Sequence, residues 1–517
     1  MSFITRILSI GILFCTINFS SLYAQSIAKA LEMAAGNKME LQKVLDHYKN
    51  AGDPQKYEAA VFLIKHMPIH YSQACRWYNT YEEDTNFEDI DYPDFDTALE
   101  AFGKLTDSIK VHPRQVITKD IYVMKADFLI QNIDLAFKMW RTNPWASNYD
   151  FTTFCEYILP YRSLIEPLQT WRADYSDAFF EKARLAKNKK DPMEVLGLLM
   201  DEMKIDFKFI FNRKEPIMAL GPKQLTLRNQ GTCTDYANLA IYASRSVGLP
   251  VTFDYTPHHA ASSNRHFWNS IIDSTGNHLA FDGYHYATNI APTRKRIGKV
   301  IRTTYSIQEG ALANQIPENE IPPGFMRTKN YIDVTAEYVP VSTVNYTFST
   351  KTVANHAYLN VFNKFKWKPT QWSRLDKNGN ASFTNMGRNI VYLPSIFKDN
   401  VFILERFPIL NNADGTTTLL APNFKDTFDC TLTRDNEIVN NNEDYNPFFI
   451  EDEKHYQLRY WDGEWKPLGD FVSSVNNRVN FKNVPKNALF MMVAQEEIDG
   501  FERVFTIDPK THSITWY

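Results

Sequence analysis

Beyond about residue 345 the chain repeats itself without a gap at an offset of 98. Trp367-Lys368-Pro369 aligns with Trp465-Lys466-Pro467, Phe383 and Asn385 with Phe481 and Asn483, Asn389 with Asn487, and Tyr358 with Tyr456. The apolar run Ile390-Val391-Tyr392-Leu393 falls on Ala488-Leu489-Phe490-Met491. A repeat built from short β-type runs broken by Asn, Gly, Asp and Pro predicts two copies of one β-module in tandem, each a β-sandwich, within 345–517. Exposed aromatics such as Trp372, Trp461 and Trp465 could stack on sugar rings and give these modules a glycan-binding role; tryptophans packed in a core are the commoner alternative.

The opposite end of the chain reads as a targeting segment. Arg6 supplies a positive start, Ile7 to Phe19 an apolar stretch, and Leu22-Tyr23-Ala24 a small-residue cleavage site before Gln25. Residues 1–24 are therefore expected to be a signal peptide, too short for a good membrane anchor, and Phe14 makes Cys15 a poor lipid site. The expectation is an exported protein, periplasmic or extracellular, with no transmembrane segment. Export makes the cysteines informative: Cys75, Cys155, Cys233 and Cys430 remain, and if Cys233 works as a free thiol at most one disulfide can form. Ordinary cores must then hold the chain, and 517 residues at 44% apolar content allow two or three. A net charge of −4 gives no basic surface for nucleic acid.

From 25 to about 190 the pattern is mainly helical. Leu41, Val44, Leu45 and Tyr48 share a helical face, Asp53-Pro54 starts a helix that Met67-Pro68 ends, and Asp120 to Trp140 is the longest helical run. The acidic stretch Glu82 to Asp96 lacks the glycine and closing glutamate of a calcium loop and reads as a solvated loop. Glu156 to Arg162 mixes charge, aromatics and proline; it is either a cleft rim that touches substrate or a packing segment.

The stretch Asn229 to Ala237 sets a thiol where a helix begins. Thr232 is a candidate N-cap with Asp235 three residues later; Tyr236, Ala240, Ala243 and Val247 follow on one face, and Gly248 and Pro250 stop the helix. A cysteine in that first turn feels the positive end of the helix dipole, which favours its thiolate. Strands are expected at Leu249 to Tyr255, at His266 to Ile272 with His266, Trp268, Ser270 and Ile272 on one face, and at His278 to Asp282 after the turn Asp273 to Asn277. Such a hairpin can set His266 beside Asp282, with the Cys233 helix packed on the sheet. His258, His259, His278 and His285 are not accompanied by a His-x-x-x-His helix or a Cys-x-x-Cys pair, so no metal is expected, and no cofactor. His258 and His259 are expected in a loop at the cleft rim.

At these residues the chain resembles the transglutaminase-like superfamily, over roughly 190 to 300. The resemblance rests on Gly231-x-Cys233 opening a helix that ends in Arg245-x-x-Gly248-Leu249-Pro250, then His266-x-Trp268, then Phe281-Asp282. It implies a papain-like α+β core with Cys233 as nucleophile, His266 as general base and acid, and Asp282 orienting the imidazole. Phe267 stands where the family commonly has a small residue. The fold class expected for the whole chain is thus α+β: a helical N-terminal region at 25–190, a papain-like transglutaminase core at 191–340, and β-sandwich modules at 345–517.

The function expected from this reading is an exported cysteine hydrolase, protease or amidase in type, that attacks an amide through a thioester. The Cys233 amide and an upstream donor, Gln224 or Gln230, would hold the oxyanion, and Trp268, Glu156 and Arg162 are the further substrate-contact candidates. Peptides, cell-wall peptides and glycopeptides are the candidate substrates, and hydrolysis is favoured over transfer because no amine site is visible. The rival reading is a silent scaffold whose C-terminal modules bind glycan or protein; an intact Cys, His and Asp set argues against it.

Overall fold

The computed structural model describes residues 26–211, 219–260, 266–282, 296–348, 354–433, 450–495 and 503–517. The expected signal peptide with Cys15, residues 261–265 and His285 lie outside the described residues. The described residues divide into two compact units, one from 26–211, 219–253, 268–282 and 303–307, the other from 254–260, 266–267, 296–302, 308–348, 354–433, 450–495 and 503–517. No helix among the described residues is long and apolar enough to cross a membrane.

The first unit opens with the expected helices. Lys38–Ala51 buries Leu41, Val44, Leu45 and Tyr48, and ends at Gly52, whose φ of 67° suits glycine. Asp53 caps Pro54–His66 by accepting from the Lys56 amide at 3.2 Å, and Pro68 lies in the short turn that follows. The helix expected from Asp120 is broken into Asp120–Val123 and the 17-residue Ala126–Thr142. Distant side chains satisfy the break: Asn37 donates to the carbonyls of Ile121 and Met124 at 3.1 and 2.9 Å, and Glu40 accepts from the Ala126 amide at 2.9 Å.

Two departures occur in this region. Tyr71–Asn79 and Val111–Lys119 pair as an antiparallel ribbon where helix or loop was expected. The acidic stretch is only partly a solvated loop: Asp94 caps Phe95–Ser108 through the Thr97 amide at 2.7 Å, and Asp89 is buried against Arg228 at 2.6 Å.

The helix Cys233–Ser246 forms the centre of this unit, with every residue from Asp235 to Ser246 buried. It ends as its sequence dictates. Gly248 has φ 91°, its amide donates to the Arg245 carbonyl at 3.2 Å, and the Leu249 amide donates to the Ser244 carbonyl at 2.9 Å, which is a Schellman closure. The start is equally constrained. Asp235 accepts from the Thr232 amide at 2.7 Å and hydroxyl at 2.8 Å, and it lies so close over Gly231 that a Cβ there would stand 2.4 Å from that of Asp235. Val251–Thr256, His266–Ile272 and His278–Phe281 then lie side by side with His266–Ile272 in the middle.

In the second unit the repeat is visible as topology. Val341–Thr347 pairs with Asn380–Gly387, facing a sheet in the order Lys366–Arg374, His356–Asn363, Ile390–Lys398, Ile409–Asn411, Thr417–Leu419. Asn423–Thr433 likewise pairs with Arg478–Lys486, facing the order Trp465–Pro467, His455–Trp461, Phe490–Ala494, Phe505–Ile507, Ile514–Trp516. Phe383 and Tyr392 fill the first sandwich, and their counterparts Phe481 and Phe490 fill the second. The repeated asparagines have a backbone cause: Asn385, Asn389, Asn483 and Asn487 all have φ between 52° and 57°, a left-handed region that asparagine tolerates.

The match of Tyr358 to Tyr456 is a coincidence of sequence. Tyr358 stands opposite Ser395, whereas the residue opposite Val493, the counterpart of Ser395, is Gln457. Phe362 pairs with Trp367 but Trp461 with Trp465, so the second hairpin turn is one residue shorter and the offset in the preceding strand is 99.

Of the two readings of the tryptophans, packing is the one observed. Trp461 is 4% exposed, and Phe362, Trp367, Trp461 and Trp465 form a cluster with ring centroids 5.2 to 5.6 Å apart. Val391 and Leu393 of one module join Leu489 and Met491 of the other around it, so equivalent outer faces of the two copies meet. Trp372 is partly buried, packed against a cluster that contains Leu312 and Tyr358. Trp461→Ala should therefore cost about 3–5 kcal/mol, with hydrogen exchange rising together in Ile390–Lys398 and Phe490–Ala494. In the first unit Gly231→Ala should cost about 1–3 kcal/mol by overpacking Asp235, read as a lower denaturant midpoint at unchanged slope.

Candidate active site

Cys233 is the first residue of its helix and is partly exposed. The preceding segment fixes where that start falls. Asn229 closes the short helix Pro222–Arg228 in the left-handed conformation at φ 47°, and Gln230–Gly231 then pairs with Lys208–Phe209 as a parallel bridge. The electrostatics run against the sequence expectation of an acidified thiol. Burial pushes the Cys233 thiol above its ordinary value, a hydrogen bond from the Thr234 amide works the other way, and the charges of Asp282 and Asp235 push it up again. The helix N-terminus alone does not bring this thiol below its ordinary value.

The same balance brings Asp282 into electrostatic reach of Cys233. Asp282 follows the strand His278–Phe281, whose ladder pairs Phe281 with Asn269 and His278 with Ile272. The turn between the strands is held by Asp273, which accepts from the Thr275 and Asn277 amides at 2.8 and 2.9 Å. Ser270 and His278 share a face, 3.5 Å apart, and His278 meets the Tyr157 ring edge-on. His266 is the half-buried first residue of its strand, Trp268 is 2% exposed, and Asn269 is fully buried. His259 is buried in a bridge to Ile297 rather than lying in a rim loop.

The outlying candidates are committed elsewhere. Both ends of the Gln224 carboxamide are engaged: it accepts from the Gly221 amide at 2.8 Å and donates to Asp89 at 3.1 Å. Gln230 remains half-buried two residues before Thr232. Glu156 accepts from the Tyr305 amide and from the Ser306 amide at 3.0 Å. Arg162 is 3% exposed and holds Asp120 with two bonds of 2.6 Å, while its remaining group donates to the Glu166 carbonyl at 2.8 Å. Burial alone would lower Arg162; the facing Asp120 and Glu166 carboxylates more than offset it. Glu156 and Arg162 thus both take part in internal packing.

That packing contains residues the sequence reading missed. Glu166 accepts from the amides of Ser163 and Leu164 at 2.7 and 2.8 Å and from the Tyr242 hydroxyl, on the Cys233 helix. Ser163 donates to Asn238 on the same helix at 2.8 Å. Arg245 reaches the carbonyls of Tyr157 and Arg162 at 2.8 and 2.7 Å, and Arg172 donates to the Arg245 carbonyl at 2.9 Å. The one signal available was Arg245, the only charged residue of that helix after Asp235.

Residues 182–283 match the family model of the transglutaminase-like superfamily. No curated protein matches the sequence. Among solved structures, the chain is similar to a candidate cysteine protease from Cytophaga hutchinsonii, at 14% identity and TM-score 0.20, over 24% of this chain and 42% of that one. It is also similar to red sea bream transglutaminase, at 8% identity and TM-score 0.20, over 90% of this chain and 79% of that one. The stretch that matches the transglutaminase-like superfamily model takes in Cys233, His266 and Asp282.

Proposed function

We propose that this chain is a cysteine-dependent hydrolase of amide bonds that works through Cys233, His266 and Asp282. The observation that carries the reading is a partly exposed thiol at the start of a buried, capped helix, within electrostatic reach of Asp282, in a segment that matches the transglutaminase-like family. Burial and carboxylates oppose ionisation of this thiol, so its proton must pass to His266; Asp282 fixes the imidazole tautomer and stabilises the resulting cation. The Cys233 sulfur bonds to the substrate carbonyl carbon, and the oxyanion rests on the Cys233 amide and on an upstream donor, for which Gln230 is the remaining glutamine candidate. Collapse breaks the C–N bond while His266 gives its proton to the leaving amine. Water, deprotonated by His266, then attacks the thioester and releases the acid and the thiol.

Peptides, cell-wall peptides and glycopeptides remain the proposed substrates, and export through cleavage after Ala24 the proposed route to them. Glycan binding by the C-terminal modules loses its main support, because Trp461 is buried and Trp372 and Trp465 are partly buried in aromatic packing.

The test is thiol reactivity. At neutral pH iodoacetamide should label Cys233 well ahead of the other three: Cys430 is buried with its thiol pushed up to about 12, Cys155 is buried and raised, and half-buried Cys75 is raised by burial. His266→Ala should slow the labelling at neutral pH by about tenfold or more, the effect of one pKa unit, and move its pH inflection above the ordinary thiol value. Labelling of Cys233 that is no faster than that of Cys75 and is indifferent to His266→Ala would contradict the reading.

A further inference from the structure

Asn269 follows Trp268 in the strand His266–Ile272 and has no exposed surface. Its side-chain amide donates twice, to the Ala237 carbonyl at 3.0 Å and to the Thr252 carbonyl at 3.0 Å. Ala237 lies four residues into the helix that Cys233 begins, one turn along the same face. Thr252 lies on the strand Val251–Thr256, and the residue opposite Asn269 in the ladder is Phe281, immediately before Asp282. One carboxamide thus bonds the helix behind Cys233 to the neighbouring strand, from a position three residues after His266 and across from the residue that precedes Asp282.

The chemistry of this side chain argues for position over stability. Its Oδ1 is buried with no hydrogen-bond partner among the described residues. A buried carbonyl left unsatisfied is unfavourable, and an apolar residue of similar volume would avoid that cost while still filling the space. What leucine could not do is fix the distance from the strand to the helix by two directed bonds. A displacement of the thiol by about 1 Å can lower a rate by about a hundredfold, so such a clamp has a clear use here.

We propose that Asn269 is a positioning residue, holding the first turn of the Cys233 helix at the height where the thiol can pass its proton to the imidazole. The inference rests on the assignment of Cys233, His266 and Asp282 as the reacting set. It predicts that Asn269→Leu leaves a folded chain whose Cys233 is alkylated at least tenfold more slowly at neutral pH, the inflection of the pH–rate profile moving upward toward that of His266→Ala. A role confined to stability would lower the melting temperature and leave that profile in place.

The experiment records iodoacetamide labelling of Cys233 against pH in the full chain for the wild type, Asn269→Leu, Asn269→Ser and His266→Ala. Near-ultraviolet circular dichroism confirms folding at the working temperature, and Asn269→Ser serves if the leucine variant fails to fold. A shifted inflection in either folded Asn269 variant supports the proposal. A wild-type profile in every Asn269 variant that folds overturns it, while sensitivity to His266→Ala keeps the reacting set intact. A wild-type profile that His266→Ala does not change removes the reacting set itself, and the Asn269 inference with it.

Discussion

The helix that carries Cys233 is held by buried charge. Arg162 and Asp120 form a bidentate pair with side chains 2% and 0% exposed, and Glu166 beside them binds the Tyr242 hydroxyl and two backbone amides. Desolvating each ion costs several kcal/mol, which mutual attraction recovers only when geometry is good and the remaining hydrogen bonds are made. Both conditions are met here, and removing one partner would strand the other at about 3–5 kcal/mol. The network is therefore better understood as fixing one arrangement than as adding stability. It joins the Glu156 to Glu166 segment to the helix through Tyr242, Asn238 and Arg245, while Asn269 fixes the same helix from the sheet.

This arrangement matters because the surroundings of the thiol oppose its ionisation. Burial, Asp282 and Asp235 oppose ionisation, and the Thr234 amide hydrogen bond does not overcome them. Under the proposed function the proton acceptor must then be near and well aimed, and small displacements of the helix would act directly on the fraction of thiolate. Asp235 has two effects in this account. It holds the Thr232 turn by two hydrogen bonds, and it places a negative charge near the thiol that the imidazolium must outweigh.

Much of the core was legible because its elements carry their own punctuation. Thr232 and Asp235 mark the helix start, Gly248 and Pro250 its end, and Asp273 to Asn277 a turn, so the helix and the strand from His266 to Ile272 fall close to where the sequence puts them. The β-repeat was legible for a related reason, its asparagines marking left-handed backbone positions. What stayed hidden depends on partners far apart in the chain. Asp120 and Arg162 are 42 residues apart, and Ala237 and Asn269 are 32 apart, distances that no local periodicity reports. The ribbon Tyr71–Asn79 escaped because it buries only Ser72 along its length and shows no apolar alternation. The place of Trp461 stayed open for another reason: composition shows an aromatic, but only packing shows that the first copy of the repeat covers it.

The central claim is that His266 converts the otherwise protonated Cys233 into a thiolate. Its most direct measurement is the ultraviolet thiolate absorbance of the full chain followed against pH, with the Cys233→Ser spectrum subtracted so that only this sulfur is seen. The account predicts a difference signal already present at neutral pH, below the ordinary thiol range, which His266→Ala abolishes there. A difference signal that appears only above the ordinary thiol value, at the same pH with and without His266, would contradict it.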